Sequence, residues 1–84
     1  MKVIPYSYNK MGDDYYISPE QAEADSFLVT AAAFKAIEAF KEKPEMETLI
    51  QFLHEQAPNV EQQELEKDAQ RLLDYLKSLN IIID

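Results

Sequence analysis

The chain has 84 residues, room for one small domain whose folding would bury roughly 60–65 % of the unfolded surface. Hydrophobic residues make up 46 %, with four phenylalanines and five tyrosines, so a packed core is within reach and a disordered chain is not expected. Sixteen acids against eight bases leave a net charge of −8, which repels phosphate backbones and anionic membranes and favours a cationic or neutral partner.

Several chemistries are missing. There is no cysteine, which removes disulfides, thiolate zinc sites and a cysteine nucleophile, and the single histidine, His54, makes no His-based metal site. The start, Met1-Lys2-Val3-Ile4-Pro5, lacks the apolar run of a signal peptide. The longest apolar stretches, 31–34 and 81–83, are far too short to span a bilayer. The expectation is a cytoplasmic protein with no cofactor, acting neither on nucleic acid nor at a membrane.

In chain order, residues 1–30 are strand-like. Val3 to Tyr8 and Tyr15 to Ile17 are rich in β-branched and aromatic residues, with a Gly12-containing loop over 9–14 between them, which predicts a hairpin. Pro5 marks the first of these as an edge strand. Residues 18–25 read as a helical turn or a loop, and Ser26-Phe27-Leu28-Val29 as a third strand.

At Thr30 the apolar period becomes helical. Thr30 is a good N-cap for a first helix over 31–41, with Ala33, Phe34, Ile37 and Phe40 on one face. Pro44 opens the way to a second helix over about 45–56, with Met46, Leu49, Ile50 and Leu53 inward. After Pro58 a third helix runs from about residue 60 to Leu79, stopped by Asn80, and Ile81 to Ile83 form a terminal strand or tucked tail. The expected fold is α+β: one winged-helix-like domain over 1–84, with an N-terminal three-stranded antiparallel sheet followed by a three-helix bundle.

No catalytic constellation emerges. His54 has no base–nucleophile partner, and the carboxylates Glu61, Glu64, Glu66, Asp68 and Asp74 read as a solvated helix face. No enzymatic activity is expected. Asp25-Ser26-Phe27-Leu28 matches the short motif around an acyl-carrier serine, which would make Ser26 an attachment point. A carrier serine follows a long amphipathic helix and opens another, and neither is predicted around Ser26. A winged-helix regulator, or an interaction subunit using the Leu65–Leu79 stripe, are further alternatives.

From Tyr15 to Asp84 the order of elements and the apolar spacing resemble the PqqD-like family, the peptide chaperones also known as precursor-peptide recognition elements of ribosomal peptide natural-product pathways. The resemblance rests on 26–34, leading from a strand into Thr30-Ala31-Ala32, on 46–53 as a second helix, and on Glu64-Leu65-Glu66-Lys67-Asp68-Ala69 with Leu72, Leu73, Leu76 and Asn80-Ile81-Ile82. The sequence departs from the family pattern in two places: Lys41-Glu42-Lys43-Pro44 replaces an Asp-Gly turn, and Asn80 replaces a glycine.

The resemblance implies a non-catalytic protein that binds the leader of a precursor peptide by strand addition to the third strand. The third helix would form the other wall, and the leader would pass to a maturation enzyme such as a radical enzyme or a leader peptidase. The implied peptide-binding residues are Ser26, Phe27, Leu28 and Val29 on the strand, with Asp68, Arg71, Leu72, Tyr75 and Leu79 on the helix. At 100° per residue, Leu65, Ala69, Leu72 and Leu76 centre the buried stripe of that helix, with Asp68, Tyr75 and Leu79 on one flank and Leu73 on the other. The net charge adds that the peptide carries basic residues.

Overall fold

A computed structural model describes residues 1–21 and 23–84. The expected helical turn or loop over 18–25 includes Ala22, which lies outside the described residues. The fold is α+β, in the order β1 (Lys2–Val3), β2 (Tyr6–Met11), β3 (Asp14–Pro19), β4 (Phe27–Thr30), α1 (Ala31–Glu42), α2 (Met46–Gln56), α3 (Gln62–Ser78), β5 (Ile82–Ile83). The antiparallel sheet β2-β3-β4 precedes the three helices, as expected. The predicted third strand is β4, shifted by one residue so that Ser26 stands just before it.

The hairpin differs from expectation in two respects. First, Pro5 divides the expected Val3–Tyr8 strand. Lys2 and Val3 pair with Ile83 and Ile82 in a separate two-stranded sheet, while β2 starts at Tyr6. Proline has no N–H for a ladder, and the Pro5 carbonyl instead accepts from Glu20 N at 2.7 Å. Second, the expected six-residue loop is a two-residue turn. Met11 pairs with Asp14, and Gly12 takes φ +66°, the left-handed value that the first central residue of a tight hairpin turn requires.

Alternation then sorts the side chains. Tyr15, Ile17 and Pro19 of β3, with Phe27 and Val29 of β4, face the core, whereas Tyr16 and Leu28 are cross-strand partners on the outer face. Helix α1 closes the inner face: the Phe34 ring stacks on Tyr15 (centroids 4.0 Å, planes 4° apart) and lies 4.7 Å from Tyr8. Thr30 ends β4 and caps α1 by accepting from Ala33 N at 3.2 Å, so strand passes to helix without a loop. Phe34, Ala36, Ile37, Phe40, Leu49, Leu65, Ala69, Leu76 and Ile81 are buried in one core, and among the described residues no polar or charged side chain is buried with them.

The third helix is turned relative to expectation. Leu73, placed on a flank by the sequence, is buried at the centre with Leu65, Ala69 and Leu76, and Leu72 is only half-buried. Helix α3 packs on α2 and β5, and the buried stripe runs through Leu73 rather than Leu72. After α3, Asn80 takes φ +61° and turns the chain so that Ile81 and Ile82 are buried and β5 reaches β1.

Two predictions follow from these contacts. At Asn80 the left-handed backbone penalises any residue with an ordinary Cβ. Asn80→Ala should lose about 1 kcal/mol in urea unfolding, and Asn80→Gly should match or exceed the parent. The second concerns Tyr6, whose hydroxyl donates to Glu38 Oε2 at 2.8 Å while Lys41 Nζ lies 5.2 Å from its ring centroid. Burial first, then the hydrogen bond and negative charge of Glu38, push this phenol above the ordinary tyrosine range. Its contribution to stability is therefore complete below the unfolded tyrosine value of about 10 and is lost as pH rises through the higher folded value. Tyr6→Phe should cost about 1 kcal/mol at neutral pH. It should also weaken the fall of stability in alkaline solution, as read from denaturant midpoints at stepped pH.

Candidate functional site

The site expected from the sequence has two parts, and each was located on the fold. On the strand side, β4 has β3 on one edge and no strand on the other among the described residues. It packs on β3 and α1, while α3 packs on α2 and β5. In an antiparallel pair about half the backbone N–H and C=O groups of an edge strand point away from its neighbour, available to another extended segment.

The other edge of the sheet, β2, carries Lys10 and follows Pro5, both features that discourage strand pairing. The sequence of β4, Phe-Leu-Val-Thr, has neither charge nor proline. Within the strand itself, its four-residue length is what limits pairing.

The four strand residues have different fates. Val29 is buried, at 4 % exposure, and Phe27 is half-buried against the core, so the side chains of both are committed to folding. Leu28 is 54 % exposed beside Tyr16, and Ser26 is exposed with its Oγ 3.0 Å from Ser18 Oγ. Of this group, Leu28 is the apolar side chain presented outward.

On the helix side, Leu72 and Leu79 are half-buried against the core, and Asp68 beside them is half-buried. Arg71 is exposed and donates from Nη1 to Asp68 Oδ1 at 3.0 Å, one turn apart on the same helix. Tyr75 is 45 % exposed and therefore points outward rather than into the core. These residues form a continuous ridge, as the helical angles require, graded from apolar at Leu72 and Leu79 to polar at Arg71.

A depression of about 160 Å³ near the segment leading into β4 is lined by Gln21, Glu23, Ala24, Asn80 and Ile83, none of them among the nine residues expected to bind a peptide, and β4 and α3 pack on different neighbours. Two larger depressions lie elsewhere, one bordered by Ala39, Thr48 and Phe52 and the other by Ile50, His54 and Gln62. His54 is exposed on α2.

Ser26 introduces a strand, so the helix start that an acyl-carrier serine occupies is not found at this position. Among the described residues no group of three His, Asp or Glu side chains is placed to hold a metal ion, and no helix is long and apolar enough to cross a membrane.

Two outward-facing residues escaped the sequence reading. Met11, 58 % exposed, and Tyr16 share the outer face of the sheet with Leu28. The signal for Tyr16 was present, since an inward Ile17 in an alternating strand sends Tyr16 outward. Comparison with protein-family models, with characterised proteins and with solved structures finds no match to this chain.

The split between Leu28 and Val29 is directly testable. Leu28→Ala should change stability by less than about 0.5 kcal/mol, as an exposed position does. Val29→Ala should cost about 2 kcal/mol through lost burial and an unfilled space. Chemical denaturation of the two variants separates these outcomes.

Proposed function

We propose that the protein is a non-catalytic binding module that takes up the leader segment of a ribosomally made precursor peptide as an added strand and delivers it to a maturation enzyme. The observation that carries this reading is the unpaired, uncharged edge of β4 with Leu28 exposed beside it. Strand addition draws affinity from backbone hydrogen bonds and specificity from pockets for alternate side chains, and it needs no reactive group. The order of a three-stranded sheet and three helices, and the sequence resemblance of 15–84 to the PqqD-like family, support the same reading.

In this reading the added strand lies along β4, with an apolar side chain resting on Leu28 and Tyr16. In the family the sequence resembles, the third helix forms the other wall of the groove, a role that would fall here to Leu72, Tyr75 and Leu79. The Asp68–Arg71 pair sits at the rim of the α3 ridge, exposed to water and adding little to stability.

The test is titration of the isotope-labelled protein with the leader of a short precursor peptide encoded beside its gene. Binding should move the backbone amides of 27–30 most. Leu28→Asp should weaken it at least tenfold, and Tyr75→Ala several-fold, with the circular dichroism of both variants unchanged. Binding that ignores both substitutions, or no binding, rejects the proposal.

A further inference from the structure

The charges around β4 are arranged unevenly. Asp25 and Glu23 precede its first residue, and Glu20 follows β3 at that same end of the sheet. At the opposite end Thr30 is the cross-strand partner of Asp14, and Asp13 is in the adjoining turn. The ion pairs among the described residues are Lys43–Glu45, Asp68–Arg71 and Lys77–Asp84, so none of these flanking carboxylates is neutralised. Between them lie Phe27 to Thr30, with no charge. The edge is thus a short neutral strip with acids just before its first residue and, at its other end, one strand further in on β3 and the β2–β3 turn.

Resting on the strand-addition reading above, we infer that the β4 edge is built for one kind of occupant: an extended segment with an apolar centre and a basic residue near each end. At about 3.3 Å per residue, β4 spans roughly 10 Å from Phe27 to Thr30. Basic residues about five or six positions apart in the added strand then fall beside the two acidic ends. The apolar side chain between them rests on the Tyr16–Leu28 pair.

The same pattern disfavours a second copy of the chain. Antiparallel pairing of two β4 edges about a two-fold axis places the Glu23–Asp25 end of one copy against the Asp13–Asp14 end of the other. Acids then face acids between two molecules that each carry −8. Charge alone selects a cationic strand over self-association.

The experiment uses three labelled synthetic peptides that share a central valine–threonine segment and differ at both ends, carrying lysine, glutamine or glutamate. Affinity is read by fluorescence anisotropy at low and moderate salt, and position by the amide shifts of 27–30. The lysine peptide should bind with shifts at β4. It should bind at least tenfold more tightly than the glutamate peptide and lose affinity as salt rises. The double neutralisations Glu23→Gln with Asp25→Asn, and Asp13→Asn with Asp14→Asn, should each weaken it about three- to tenfold. Both pairs are exposed or half-exposed, so folding should survive.

Equal affinity for the lysine and glutamine peptides overturns the charge inference, as does failure of the lysine peptide to shift the β4 amides. In either case strand addition is judged separately, on the leader titration. A dimer in sedimentation that Leu28→Asp abolishes assigns the edge to a second copy and overturns the inference.

Discussion

The contact on which the rest of the structure depends is that between α1 and the inner face of the sheet, where Phe34 stacks on Tyr15 and Ile17, Val29, Ile37 and Phe40 close around it. A sheet this small has no stability of its own and must bury one face against a helix. The chain provides that helix at once, because Thr30 is both the last residue of β4 and the cap of α1. The immediate turn from strand to helix has a cost. It takes the chain away from β4 before another strand can pair there, so the edge stays open for a structural reason that precedes any function. Burying the inner face likewise leaves Met11, Tyr16 and Leu28 on the outer face with no element to cover them.

The helices were legible in the sequence because their apolar residues recur at helical spacing and their ends carry strong signals: Thr30, Pro44, Pro58 and Asn80 each stand within a residue or two of a boundary. The strands were less so. Two-residue strands show no alternation, and the pairing of Lys2–Val3 with Ile82–Ile83 joins the two ends of the chain, which no local pattern encodes. The hairpin was recognised but its turn was drawn too long, because Asn9, Lys10 and Met11 have polar or flexible side chains that sit comfortably on an exposed edge strand. In α3, two adjacent leucines, Leu72 and Leu73, stand 100° apart on the helix, and tertiary packing rather than local pattern decides which of them is central. The bond from Tyr6 to Glu38 crosses 32 positions and left no trace in the sequence.

Of the nine residues the sequence marked for peptide binding, Val29 is fully engaged in the core, and Phe27, Leu72 and Leu79 are partly so. This division follows from the pleat of the strand and the curvature of the helix: a surface made of regular elements presents every second or every third or fourth side chain and buries the rest. Phe27 and Val29 hold β4 in register against Ile17 and Tyr15, so their substitution reports on folding first. If the proposed binding holds, Leu28 and Tyr75 are the exposed positions at which it can be tested apart from folding.

The acidity of the chain takes on a more local meaning once the fold is known. A net charge of −8 acts on every approaching molecule alike and is weakened by salt beyond about 8–10 Å. Selection of one binding direction and one register needs charges fixed close to the contact. Glu23 and Asp25 lie on the connection leading into β4, whereas Asp14 stands on β3 opposite Thr30 and Asp13 in the β2–β3 turn, one strand in from the free edge. Reversals favour acidic residues for reasons of turn geometry and solvation alone. In the proposed reading, backbone hydrogen bonds would attract any extended segment, and the acids near the two ends of β4 would narrow the choice to one that is basic near its ends and apolar between them.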